Sequence, residues 1–350
     1  MTLFEKTLRE IRPVDPRWVD SARQRQLELT KPPGSLGRLE EVANRCVAIR
    51  QSLAPTSNRP RIVLFAADHG ICAEGVSAYP QEVTAQMVLN FLRGGAAINA
   101  LARSGAIELK VVDIGVANAL PASEDLIARR VASGTRNFCE EPAMTDAELT
   151  AALNAGIELA FESVAAGCDL LGFGEMGIGN TTSASAIAAA LTGLPLETVV
   201  GCGAGADEAC MGRKRSAIAR ARDLHADHLG NALGILRCVG GLEIAAMCGF
   251  CLGAAARQVP VVADGFIATA AAALAVRLAP EVSGYLFASH RSAEPGHACL
   301  LAVLDQEPLL DLGMRLSEGT GAALAMKLIQ AGIAAFTGMA TFAGAGVSNR

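Results

Sequence analysis

The sequence predicts an α/β fold: a Rossmann-like large domain, in which a parallel sheet carries helices on both faces, plus a small helical domain. The first observation is a series of short β-branched runs, separated by Ala-rich stretches long enough for helices, at residues 61–67, 109–114, 170–173, 259–263 and 285–288. Strands that alternate with helices are typical of a parallel sheet covered on both faces. The second observation is the composition, because 51% of the 350 residues are hydrophobic, only 4% are aromatic and 36 residues are glycine. This composition predicts a core of small aliphatic side chains with closely packed backbones.

Both ends of the chain have helical patterns without strands. In residues 39–47 the apolar positions follow the i, i+3, i+4 spacing of one buried helix face, after the turn cluster Lys31-Pro-Pro-Gly-Ser-Leu-Gly. After residue 305 the pattern is helical again and ends in a tail rich in Gly and Ala. We therefore predict a large substrate-binding domain over 56–305 and a small helical domain formed by 1–55 together with 306–350.

Each predicted strand is followed by a polar or glycine-bearing loop. Asp68-His69-Gly70 follows the first, Asp113 lies at the end of the second, and the last two lead into Asp264 and into Ser289-His290. Ligands of open parallel sheets bind outside the carboxyl ends of the strands. The sequence thus predicts one ligand site to which several loops contribute.

The third predicted strand runs into a glycine-rich loop at 172–183, and a second glycine cluster follows at 201–207. Bare backbone and a following helix N-terminus favour an anion, so we predict a phosphate site. Its candidate residues are Gly177, Gly179, Asn180, Thr181, Thr182, Gly203 and Gly205. Two alternatives stay open: a capped strand-to-helix turn, and a dinucleotide fingerprint with Glu197 as the ribose acid, which would indicate an oxidoreductase.

Charge and apolar patterning argue against nucleic-acid and membrane partners. The net charge is −5 and there is no basic, aromatic-rich segment. Uncharged stretches at 176–196 and 328–349 contain many polar residues, so we predict buried helices rather than membrane spans. The N-terminus lacks an apolar signal core, and we expect a cytoplasmic protein.

The cysteines and histidines predict no metal site and no cofactor. Of ten cysteines, Cys248 and Cys251 have C-x-x-C spacing, but no second pair completes a zinc site. They lie in an apolar run, which favours small core side chains over a redox pair. His225 and His228 share a predicted helix face, where we expect a solvated pair.

Taken in order, several blocks of the chain resemble the nicotinate-nucleotide–dimethylbenzimidazole phosphoribosyltransferase family. The blocks run from residue 31 to residue 325 and are Lys31-Pro-Pro-Gly-Ser-Leu-Gly-Arg-Leu-Glu40, Ala67-Asp-His-Gly70, Gly174-Glu-Met-Gly-Ile-Gly-Asn-Thr-Thr182, Val239-Gly-Gly241, Asp264-Gly-Phe266, Ser289-His290, Ser292-Ala-Glu294 and Arg315-Leu-Ser-Glu-Gly-Thr-Gly-Ala-Ala-Leu-Ala325. The resemblance implies transfer of the 5-phosphoribosyl group of nicotinate mononucleotide to 5,6-dimethylbenzimidazole, with inversion at the anomeric carbon. The products are α-ribazole 5′-phosphate and nicotinate, in cobalamin nucleotide-loop assembly. It also implies a homodimer that needs no metal.

The resemblance assigns Glu318 as the catalytic base. The nicotinate leaves as a neutral ring nitrogen and needs no acid, whereas the benzimidazole loses a proton as it attacks, so one base suffices. A carboxylate in an apolar pocket has a raised pKa that suits this task. The local alternative is that Glu318 only complements the dipole of a following helix, which Ser317 could cap.

The resemblance also places other residues near the substrates. Glu175 would position the ribose or support the acceptor, unless it only accepts hydrogen bonds from loop N–H groups. Lys214 would neutralise the donor phosphate, unless it belongs to a solvated basic run with its arginine neighbours. Glu243 and Asp264 lie where an apolar helix begins or a strand ends, so we expect them to be structural supports. His290 fits a hydrogen-bonded structural role as well as a catalytic one. The remaining candidates are Ser289 and Ser292 beside the ligand, and Tyr79, Gln86, Met87 and Leu316 in an apolar acceptor pocket. Met87 fits the core equally well. A non-catalytic nucleotide-binding regulator is a third hypothesis.

Overall fold

The computed structural model describes residues 1–203 and 205–348. Its centre is one six-stranded sheet in which all neighbouring strands are parallel, in the order β3-β2-β1-β4-β5-β6. The strands are β1 (Pro60–Ala67), β2 (Glu108–Gly115), β3 (Leu126–Ala128), β4 (Leu170–Met176), β5 (Val261–Ala263) and β6 (Leu286–Ala288). The predicted α/β class with a parallel sheet is confirmed.

The predicted strands coincide with five of the observed ones. The exception is β3, a three-residue edge strand whose side chains are half-buried or exposed. A strand that is short and not buried leaves no apolar run, so the sequence pattern does not reveal it.

Fifteen α-helices surround the sheet in the described residues. They are α1 (Leu3–Glu10), α2 (Pro16–Glu28), α3 (Arg38–Arg50), α4 (Val83–Leu92), α5 (Ala97–Gly105), α6 (Asp146–Ala165), α7 (Asn180–Thr192), α8 (Leu196–Val199), α9 (Glu208–Leu224), α10 (Ala232–Val239), α11 (Leu242–Ala256), α12 (Phe266–Leu278), α13 (Pro295–Leu304), α14 (Thr320–Gly338) and α15 (Phe342–Ala345). Short 3-10 turns lie at Gly70–Glu74, Ala226–His228 and Pro280–Gly284.

Helices cover both faces of the sheet. On one face α11 packs against β1, β2 and β4, with α6 and α12 beside it. On the other face α14 packs against β4 and β5, α4 contacts β1 and β2, and α5 contacts β2. Because both faces are covered, all eight residues of β1 are buried.

The two ends of the chain are in contact. Helix α3 packs against both α2 and α14, and Trp18 contacts a small cluster that includes Val47 and Phe336. An antiparallel bridge joins Leu29 to Thr341. Helix α14 also packs on the sheet, however, so the division at residues 55/56 and 305/306 stays a prediction.

The first uncharged stretch forms a packed helix, as predicted, whereas the end of the later one is exposed. Helix α7 begins at Asn180 and ends at Thr192, and its first residues are buried. The later stretch does not form one helix, because α14 ends at Gly338 and a short α15 follows. In the part of the chain that the structure describes, α14 is the one helix long and apolar enough to span a membrane. Half of that apolar window is buried against the rest of the fold, which is typical of a core helix.

Cys248 and Cys251 are free, buried side chains of α11, as predicted, and burial raises the pKa of Cys251 to about 12. The prediction for His225 was wrong. This residue is the C-cap of α9, and its side chain is buried with Nε2 2.9 Å from the carbonyl oxygen of Phe138.

Candidate active site

The carboxyl ends of β1 and β4 form the centre of the site. From this pair the chain order in the sheet runs outward in opposite directions, to β2 on one side and to β5 on the other. Such a switch point leaves a crevice between the two loops, in which ligands of open α/β sheets bind. The loop after β4 lies against β1, since a Cβ on Gly177 would be 2.5 Å from the carbonyl oxygen of Ala67.

A small pocket of about 50 Å³ opens at the start of α7. Its lining includes Gly177, Gly179, Asn180, Thr181 and Lys214, five of the predicted site residues, which come from two separate parts of the chain. Gly179 is the N-cap of α7 and has φ 94°, a conformation that favours glycine. The pocket therefore combines the N-terminus of α7, the Thr181 hydroxyl and the Lys214 cation, and such groups bind phosphate.

Lys214 is buried and does not belong to a solvated basic run. Its Nζ donates to Thr181 Oγ1 at 2.9 Å and to the carbonyl oxygen of Gly201 at 3.4 Å. Burial lowers the pKa of Lys214, and the charge of Glu294 opposes that shift. The geometry thus brings α9, the second glycine cluster and the N-terminus of α7 together.

The second glycine cluster has two further polar partners that the sequence did not single out. The N–H of Gly203 donates to Glu294 Oε1 at 2.8 Å, and Arg315 Nη1 donates to the carbonyl oxygen of Gly203 at 2.9 Å. Both residues lie inside the segments that carry the family resemblance. The sequence signal that could have found Arg315 is its basic side chain three positions before Glu318. Gly205 has φ 112°, and a Cβ there would meet open space.

Two more predicted phosphate and ligand residues are buried nearby. Thr182 is in the first turn of α7, and its Oγ1 has no hydrogen-bond partner among the described residues. Ser292 Oγ accepts from the N–H of Glu294 at 3.3 Å, so this hydroxyl shapes the loop that carries Glu294.

Glu318 lies on a strained loop immediately before α14. Ser317 and Glu318 have φ of 70° and 62°, and Gly319, the N-cap of the helix, has φ 81°. Non-glycine residues in this region cost about 1–3 kcal/mol each and persist where the surroundings enforce them. Gly174 of β4 provides the space, because a Cβ there would be 2.6 Å from the Cα of Gly319 and 2.9 Å from the carbonyl carbon of Glu318.

The helix after Glu318 is capped by Asp264 and not by Ser317, so the expectation for Ser317 was wrong. Gly319 supplies no side chain at the N-cap, and the side-chain oxygens of Asp264 accept from the N–H groups of Gly319 and Ala322 instead. The backbone carbonyl of Ser317 accepts from Thr320. Asp264 is therefore a structural support, in agreement with the expectation.

The Glu318 side chain is only 7% exposed. Burial, reinforced by the charge of Asp264, raises the pKa of Glu318 from 4.5 to about 7. A carboxyl group with a pKa near neutrality can both accept and release a proton at physiological pH. A first-turn acid that merely complements a helix dipole would have its pKa lowered instead.

Glu175 is a second buried carboxyl group, at the end of β4. Burial and the charge of Glu243 raise its pKa to about 8, while hydrogen bonds from Asn180 and Ser317 oppose the shift. Asn180 Nδ2 donates to Glu175 Oε2. Glu175 therefore links the phosphate pocket to the loop that carries Glu318.

A fully buried pair holds the loop after β1. His69 Nε2 lies 2.6 Å from Glu243 Oε1, and His69 Nδ1 lies 3.0 Å from Ser183 Oγ. These contacts tie α11 and α7 to β1, which is the supporting role expected of Glu243.

Ser289 and His290 follow β6 and adjoin Asp264. Ser289 Oγ donates to the backbone carbonyl oxygen of Asp264 at 2.7 Å, and His290 Nε2 is 4.0 Å from Asp264 Oδ1. His290 is 1% exposed, and neither ring nitrogen has a hydrogen-bond partner among the described residues. A hydrogen-bonded structural role for His290 is thus not seen.

The predicted acceptor residues do not share one pocket. Tyr79 and Leu316 are about half exposed, at 50% and 52%, and Tyr79 lines an open cleft that shares Ser77 and Ala78 with the phosphate pocket. Gln86 is exposed on α4, and Met87 is partly buried against the core, so neither lines these two pockets.

Two observations bear on the alternative chemistries. Glu197 is exposed on the short helix α8 and does not end a strand, so the dinucleotide fingerprint lacks its ribose acid. Within residues 1–203 and 205–348, no group of three or more His, Cys, Asp or Glu side chains could hold a metal ion.

Comparison with known proteins identifies the family. A family model described as phosphoribosyltransferase matches residues 11–347. Nicotinate-nucleotide–dimethylbenzimidazole phosphoribosyltransferases are similar to this chain: the one from Chloroflexus aggregans is 52% identical over 350 residues, covering 100% of this chain and 99% of the relative. The one from Geobacter metallireducens is 51% identical over 347 residues, covering 99% and 98%.

A solved structure agrees with these relatives. The crystal structure of the enzyme of this name from Thermus thermophilus is 50% identical, covers 96% of this chain and 100% of its own, and superposes with a TM-score of 0.90. The chain belongs to the nicotinate-nucleotide–dimethylbenzimidazole phosphoribosyltransferase family.

Proposed function

We propose that the protein transfers the 5-phosphoribosyl group of nicotinate mononucleotide to 5,6-dimethylbenzimidazole, with Glu318 as general base and inversion at the anomeric carbon. The products are α-ribazole 5′-phosphate and nicotinate, for the nucleotide loop of cobalamin. The observation that carries this proposal is the buried carboxyl group of Glu318, which lies on a strained loop over β4 and has a pKa raised to about 7.

The reaction requires the protein to accept one proton, which comes from the benzimidazole. The bond between the anomeric carbon and the pyridinium nitrogen of the donor breaks, and its electron pair stays on that nitrogen, so that nicotinate leaves with an uncharged ring. One benzimidazole nitrogen forms the new bond from the opposite face while the other nitrogen loses its proton. Glu318 accepts that proton, and its raised pKa keeps it a competent base near pH 7.

The donor phosphate is assigned to the pocket at the start of α7. Lys214 and the glycine-rich backbone supply positive charge and N–H donors there. Glu175 lies between this pocket and Glu318, where it would face the ribose. Because its raised pKa keeps Glu175 protonated near neutrality, it does not repel the phosphate.

The acceptor is assigned to the open side of the crevice, where Tyr79 and Leu316 expose apolar surface. Gln86 and Met87, on α4, line neither of the two pockets and are not assigned to this surface. A flat heterocycle suits this surface because it can stack on the Tyr79 ring.

The proposal is tested by Glu318→Gln in a reaction of the purified protein with nicotinate mononucleotide and 5,6-dimethylbenzimidazole, followed by mass spectrometry of α-ribazole 5′-phosphate. We expect turnover to fall about 10²- to 10⁴-fold, the usual contribution of a general base. Glu162→Gln, which removes an exposed carboxylate of α6, is the control and should leave turnover unchanged. Near-full turnover by Glu318→Gln would contradict the assignment.

We further propose that the protein is cytoplasmic and works as a homodimer; the resemblance implies the homodimer. Light scattering of the purified protein should give twice the mass of one chain. A monomer that retains full activity would refute the dimer as the working form.

A further inference from the structure

Asp264 is a buried carboxyl group that reaches from the sheet to the segment carrying Glu318. It follows β5, is 1% exposed, and accepts from the N–H of Gly319 at 2.8 Å and from the N–H of Ala322 at 3.0 Å. These two donors belong to the N-cap and first turn of α14, which has no side-chain cap of its own. One side chain thus fixes the backbone that directly follows Glu318.

The space around Asp264 fits this contact closely. A Cβ on Gly321 would be 2.8 Å from Asp264 Oδ1 and would clash with the His290 ring. On the opposite side, Gly174 of β4 lies against the backbone of Glu318 and Gly319. The left-handed residues Ser317 and Glu318 are therefore held between a glycine of β4 and a carboxylate that follows β5.

We propose that Asp264 is a positioning residue for Glu318, which holds the strained loop against β4 and keeps the Glu318 side chain at the reacting nitrogen. The inference rests on the proposed role of Glu318 as the base. Asp264 does not touch the substrates in this assignment and acts only through the backbone and its charge.

The charge of Asp264 provides a readout that a purely structural role would not move. It disfavours ionisation of Glu318 and so raises the pKa of that group. The other charged or titratable side chains around this pair are Glu175 at the end of β4, Glu243 behind it on α11, His290 after β6, and Arg315, which donates to Gly203. Burial raises the pKa of Asp264 itself, against the influence of His290 and the backbone donors.

The test is Asp264→Asn, with kcat and the pH profile of kcat/KM measured on the purified enzyme. An asparagine keeps one acceptor but turns an NH₂ group toward a backbone N–H, so the loop should shift and kcat should fall about 10- to 100-fold. The variant lacks the negative charge beside Glu318, so the pKa of Glu318 should fall. The acid limb of the pH profile of kcat/KM should therefore move to lower pH, by about half a unit or more. The substrates ionise in the same way with the wild type and with the variant. A difference between the two pH profiles therefore reports a group of the protein.

Asp169→Asn is the matched control. Asp169 is also a buried aspartate that accepts from two backbone N–H groups, those of Asn58 and Arg59, both at 2.9 Å. It precedes β4, at the opposite end of the sheet from the site. We expect a lower melting temperature in this variant but an unchanged kcat and pH profile.

If the acid limb of the kcat/KM profile does not move in Asp264→Asn, the inference is wrong. A lower kcat alone would not support it, because any damage to the fold lowers kcat. Should this variant not fold, Asp264→Glu serves instead. It retains the charge in a longer side chain, so the acid limb should stay while kcat falls, and an unchanged kcat would refute positioning. If Glu318→Gln is active, the proposed base itself is wrong; if it is inactive but Asp264→Asn leaves the profile unmoved, only this inference fails.

Discussion

Lys214 is a buried cation whose ammonium group has one more hydrogen-bond donor than the contacts in the described structure use. An ammonium group has three N–H donors, and in the described structure two of them point to Thr181 Oγ1 and to the carbonyl oxygen of Gly201. The third is available to a ligand in the adjoining pocket. Burial makes such a charge costly on its own and favourable beside a phosphate.

We predict that Lys214→Met raises KM for nicotinate mononucleotide about 10- to 100-fold, because a hydrogen bond to a charged group contributes about 1.5–3 kcal/mol. The value of kcat should change less, since the residue binds the phosphate and not the reacting atoms. Steady-state kinetics with each substrate varied in turn measures the effect. Arg222→Met, on the exposed face of the same helix, is the control. A larger rise in KM for the benzimidazole than for the nucleotide would contradict the assignment.

At the scale of elements, the contact between α6 and α11 depends on glycines. A Cβ on Gly156 of α6 would clash with the carbonyl of Ala246, and a Cβ on Gly249 of α11 would clash with the carbonyl of Leu153. The two helix backbones therefore touch directly, and α11 in turn packs on β1 and β4, the strands that carry the site. This contact accounts for part of the glycine content noted in the composition.

Gly249→Ala should destabilise the protein by about 1–3 kcal/mol, the usual cost of overpacking a close contact. Gly212→Ala is the matched control, because Gly212 lies inside α9, where a Cβ would meet nothing within 4 Å. This control should leave the melting temperature unchanged or raise it, since alanine is the better helix former. Thermal melting followed by circular dichroism compares the two. Equal melting temperatures for both variants would show that the helices can separate without cost.

For the whole molecule, the buried carboxyl groups make stability depend on pH. The pKa values of Glu175 and Glu318 are raised from 4.5 to about 8 and about 7, so the folded protein holds protons that the unfolded chain releases. The free energy of unfolding should therefore fall as pH rises through this range. His297, whose pKa burial lowers from 6.5 to about 3, acts in the opposite direction only below pH 6.5.

We predict that the melting temperature falls by on the order of a few degrees between about pH 6.5 and 8.5. Glu175→Gln should reduce this slope because the variant has no proton to lose. Differential scanning calorimetry across that range provides the measurement. A wild-type melting temperature that rises with pH, or an equal slope in the variant, would contradict the prediction.

Local pattern was sufficient to find most of the elements. The strands β1, β4, β5 and β6, the buried second half of β2 and the phosphate loop stand out because each is a buried apolar run or a glycine cluster. The edge strand β3 does not, because its burial is incomplete. The contact of Asp264 with Gly319 spans 55 residues, and nothing in either segment specifies its partner. Pairing at that distance is set by the folded chain, which is also why the roles of Arg315 and Glu294 were not anticipated.

The absence of a side chain at Gly174 has a consequence for how such an enzyme can change its substrate. The segment that carries the proposed base rests directly on a strand of the sheet and is held by a carboxylate that follows the next strand, so we expect a substitution on either side to displace it. The segment around Tyr79 is exposed and belongs to a separate loop. On the proposed assignment, acceptor selectivity depends on exposed residues whose substitution costs little stability, whereas proton transfer depends on a closely packed segment. Substitutions around Tyr79 can then change which acceptor is used while Glu318 and the proton transfer stay the same.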